Sequence, residues 1–172
     1  MKGVIKYIWF VVFLQLFQVL FLKNLELGTV NWWITPFVYG LFLLELPVQF
    51  NPVYLLLLGL LSGLGIDLFY DTIGLHASSC LAMTFVRFYS LKIIVPRDGF
   101  DASARPSINT LGYSKYIFYI SICLFVYHAW FFTIEVFGFQ DVIYRFVQTL
   151  SSTFAAIFIA IVLHLIFNPK KK

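Results

Sequence analysis

The chain has 172 residues, of which 61% are hydrophobic and only 12% charged, and its net charge is +4. A soluble domain carries about a quarter charged residues, so a mean hydropathy of +0.90 excludes an ordinary soluble fold and reads as a polytopic membrane protein. The basic residues are scattered at expected membrane edges, where they act as topology signals rather than a nucleic-acid surface, and no nucleic-acid partner is expected.

A helix needs about 20 apolar residues to cross the hydrocarbon core. Six segments meet that requirement, at about 4–22, 30–46, 53–70, 72–94, 116–139 and 142–167, within one transmembrane domain covering residues 1–172. The first follows Lys2 and Lys6 as a signal peptide would, yet it runs into Leu22-Lys23-Asn24 with no small-x-small cleavage site, so it is expected to be retained. Pro47 and Pro52 bracket the turn between the second and third spans, while the third and fourth meet so closely at Asp71-Thr72 that they must form a hairpin. The one long connection is the loop 95–115, with Pro96, Gly99, Pro106 and Gly112.

With the N-terminus inside, ten basic residues fall on the cytoplasmic side: Lys2, Lys6, Arg87, Lys92, Arg97, Arg105, Lys115 and the Lys170–Lys172 tail. Lys23 and Arg145 alone lie outside. That bias follows the positive-inside rule, and an even number of spans returns the C-terminus to the cytoplasm. The expected fold is therefore all-α, six helices in one bundle with both termini cytoplasmic.

Residues 59–80 are the stretch that apolar bulk does not explain. Gly59 and Gly63, with Ser62 beside them, thin one helix surface. Small residues four apart let membrane helices approach closely, which suits either internal packing or a docking face for a partner's helix. Asp67 and Asp71 then appear four residues apart, followed by Gly74 and His76. An ionisable residue in or near a span is costly and is a functional hypothesis by default. Asp67 lies about 21 Å beyond Val53 along a helix, which places the pair near the outer leaflet. Asp71 could cap the fourth helix while Asp67 bonds to a neighbouring one. Alternatively the pair forms a cation or proton site, or a contact completed by a partner, with His76, Arg145 and Lys23 as nearby cations.

Catalysis finds little footing. Asp-x-x-x-Asp also closes the metal signature of phospholipid-head-group transferases, but the upstream Asp-Gly and Ala-Arg elements are missing before Asp67. No Ser/His/Asp triad, phosphate loop, Cys-x-x-Cys or His-x-x-x-His is present, so no catalytic, cofactor or metal site is expected. Cys80 and Cys123 read as small apolar residues within spans. Gln15, Gln18, His128 and His164 read as hydrogen-bonded packing residues.

The run from Gly59 to Ala77, with its Gly-rich third helix, Asp67 and the Gly74-Leu75 turn, resembles the MreD family of bacterial rod shape-determining membrane proteins. The chain's size and its basic loop after the fourth span are similar as well. The resemblance implies a non-enzymatic scaffold in the inner membrane. Its implied partners are MreC, RodA and its transpeptidase, with MreB filaments on the cytoplasmic side and lipid around the bundle. It implies that the Gly59, Ser62, Gly63 face receives a partner helix and that Asp67, Asp71, Gly74 and His76 form a polar hairpin at the periplasmic surface. MreD-like chains also resemble the substrate-binding subunits (S-components) of energy-coupling-factor transporters, six-helix proteins with an outward pocket. A small-molecule-binding membrane subunit is accordingly the alternative expectation.

Overall fold

The computed structural model describes residues 2–24, 34–94, 104–136 and 142–167. Residues 30–33 of the expected second span, 95–103 of the long loop, 137–139 of the fifth span and the Lys170–Lys172 tail lie outside the described residues. Among the described residues every regular element is helical: α1 (Lys2–Phe17), extended by a π turn at Gln18–Leu22, α2 (Leu41–Leu44), α3 (Pro52–Tyr70), α4 (Leu75–Ile94), α5 (Ile108–Leu111), α6 (Tyr113–Val136) and α7 (Val142–Phe167).

Among the described residues, four helices are long and apolar enough to cross a membrane: α3, α4, α6 and α7. Their 19, 20, 24 and 26 residues correspond to about 28–39 Å at 1.5 Å per residue, against a core of about 30 Å. Local chemistry sets their ends. The Asn51 side chain accepts from Val53 N at 2.9 Å and Pro52 fills the first helical position, where the missing N–H costs nothing. Asp71 closes α3 in the left-handed conformation at φ 55°. Gly112, at φ 81°, separates the single turn α5 from α6, and Ser107 and Thr110 form a reciprocal capping box on α5.

The long helices pack in the order α3, α4, α6, α7, each against the next. Large apolar side chains cover the outer faces, among them Leu61, Leu68, Ile93, Ile143 and Phe154. Apolar residues turned outward all round the bundle are what an acyl-chain solvent requires.

The expected second span is corrected. Its described part, Ile34–Leu46, is not a spanning helix: 34–38 carries no regular structure and only Leu41–Leu44 makes a helical turn. Pro36 removes a donor and drives Thr35 away from helical geometry. At Gly40 the chain passes so close to α4 that an added Cβ would lie 2.8 Å from Met83 Cε. The segment also lies in the middle of the protein, with every residue from Phe37 to Leu44 buried. Thr35 meets Ser152 of α7, and Glu45 meets His164 of the same helix. The chain therefore runs lengthwise beside about 18 Å of α7, an irregular strand threaded through the bundle rather than a helix on its outside.

Candidate functional site

Two linked features form the site: the capped hairpin between α3 and α4, and the polar cradle around the interior strand. In the hairpin, Asp67 Oδ1 accepts from Thr72 Oγ1 at 2.7 Å and from His76 N at 2.9 Å, and Oδ2 accepts from Ala77 N at 3.1 Å. His76 and Ala77 are the second and third residues of α4, whose N–H groups have no partner inside the helix. Asp67 is thus the N-terminal cap of α4, held at 5% exposure by the helix it caps. Asp71 is exposed instead and supplies the left-handed turn, with Gly74 at φ 78° completing it. The capping role that the sequence offered to Asp71 belongs to Asp67, and the two carboxylates do not share a face once Asp71 leaves the helix. The expected cations are engaged elsewhere: Arg145 pairs with Glu135 at 3.0 Å, and Lys23 Nζ donates to the Phe69 carbonyl.

The small residues of α3 have a partner inside the chain. A Cβ built on Gly63 would stand 2.6 Å from Ala77 N and 2.8 Å from His76 C, and one on Gly59 would stand 3.2 Å from Thr84 Cγ2. Both glycines face α4, so this chain's own fourth helix occupies the surface expected to receive another protein's helix. Ser62 accepts from Gln15 Nε2 at 2.7 Å, which ties α1 to the same region.

Helices α4, α6 and α7, and the π turn that follows α1, lend side chains to the interior strand. Gln18 accepts from Val38 N at 2.9 Å and donates to Pro36 O at 3.3 Å and Tyr70 Oη at 3.0 Å. Ser152 Oγ accepts from Thr35 N at 2.9 Å. His128 Nε2 accepts from Phe37 N at 3.2 Å while its Nδ1 meets Leu124 O at 2.7 Å, which fixes Nδ1 as the protonated nitrogen. Tyr119 donates to Leu44 O at 2.9 Å, and Arg87 Nη2 donates to Leu46 O at 2.5 Å and Pro47 O at 3.1 Å. Backbone that is not helical survives at membrane depth only where protein or water satisfies its polar groups, and these side chains do so.

Sequence reasoning assigned Arg87 to the cytoplasmic charge count, yet it is 1% exposed and clamps the strand's exit. The signal for this arrangement was Pro36 and Gly40 inside an apolar run, matched by polar residues scattered through the other spans.

The strand joins the hairpin through His76. Its Nδ1 lies 2.7 Å from Tyr127 Oη, which is 2.8 Å from Tyr39 Oη, and Cys80 Sγ donates to Tyr39 at 3.3 Å. The His76 Nε2 atom is buried without a hydrogen-bond partner, and the centroid of the His76 ring lies 4.8 Å, 4.8 Å and 4.7 Å from the ring centroids of Phe37, Tyr70 and Phe131. A chain of hydroxyls donating toward Nδ1 leaves the imidazole proton on Nε2. Among the described residues no three His, Cys, Asp or Glu side chains converge as a metal would require. The arrangement locks elements together.

No family model, curated protein or solved structure matches this chain.

Proposed function

We propose that this protein is a non-enzymatic, multi-pass scaffold of the bacterial inner membrane that helps position and activate the wall-elongation machinery, in the manner of MreD-like proteins. The observation that carries the reading is the run Gly59–Ala77. Its glycines, Asp67 and the Gly74 turn make one closely packed, capped hairpin. The residues that carry the family resemblance are thus those that shape a rigid element, as a scaffold needs.

Because Gly59 and Gly63 are spent on α4, the helix of an MreC-like partner meets a different, lipid-facing surface of the bundle. RodA, its transpeptidase and MreB filaments are the further partners on this reading. Depletion in a rod-shaped host tests it: cells should round up, and an MreC-like protein should co-purify with the tagged chain. Normal rods after depletion would sink the shape-determination role. The transporter-subunit alternative gains no specific observation, since Phe37 fills the centre with its ring packed on those of His76, Tyr127, His128 and Phe131.

A further inference from the structure

No further inference is drawn: the strongest candidate, the exposed seam of Tyr54, Leu57, Leu61, Leu64 and Leu68 along the outer face of α3, is an unpartnered apolar helix face, and nothing in the structure shows what covers it.

Discussion

Asp67 accepts three hydrogen bonds, two of them from the orphan N–H groups at the start of α4, and truncation would leave those donors buried. Charge-assisted bonds and helix caps each contribute about 1–3 kcal/mol, so Asp67→Ala should destabilise the protein by about 2–3 kcal/mol in thermal unfolding from micelles. Asp71 should behave in the opposite way. Its left-handed backbone costs an L-residue about 1–2 kcal/mol, and its side chain is exposed. Asp71→Gly should therefore be neutral or stabilising by up to about 1 kcal/mol in the same assay. Gly63 is the least replaceable position on α3, because even an alanine would press into the Ala77 backbone. Overpacking costs about 1–3 kcal/mol or more, and Gly63→Leu should lower the yield of folded monomer whether or not a partner is co-expressed. A variant that stayed folded and lost only its partner would restore the glycine face as a docking surface.

Among the elements, the interior strand departs furthest from expectation. Gln18 alone serves Val38 N and Pro36 O, so Gln18→Leu, similar in size and without polar atoms, should cost about 1–3 kcal/mol for the stranded backbone groups. Hydrogen exchange should show the loss first at Val38. The neighbouring helices were largely legible in sequence. α7 matches its expected bounds and α3 begins one residue early, because long apolar runs with Pro, Asn or Gly at their ends specify both type and limits. Residues 34–46 were not legible in the same way. An apolar run reads alike whether it is a helix in lipid or an irregular strand buried in protein, and only the company of polar groups on other helices separates the two. Those groups were visible one by one, as Gln18, Arg87, His128 and Ser152. Their common target was invisible, since a side chain's bond to distant backbone leaves no spacing pattern. The hairpin was half legible. Its residues were identified from their cost in lipid, but which aspartate caps α4 depends on where α3 ends, and a single left-handed residue decides that.

At the scale of the whole molecule, four apolar helices of spanning length pack in sequence around a strand that travels lengthwise inside them. If that strand counts as a crossing, together with α1, the chain ends lie on one side. Cysteines placed near Lys2 and Lys172 should then both resist a membrane-impermeant maleimide in intact cells and react after permeabilisation. Labelling of one end alone in intact cells would give an odd number of crossings. The strand also has a consequence for synthesis. Its backbone partners Tyr119, His128 and Ser152 belong to helices made tens of residues later, so when residues 34–46 leave the ribosome Gln18 serves Pro36 and Val38 while the backbone of Thr35, Phe37 and Leu44 still lacks the partners it needs in lipid. Chains arrested before α6 should leave this stretch in water, open to protease, and burial should come only after α6 and α7 have entered. The strand is thus completed by helices made after it, and a truncation near the C-terminus that removes His164 would be felt first at Glu45.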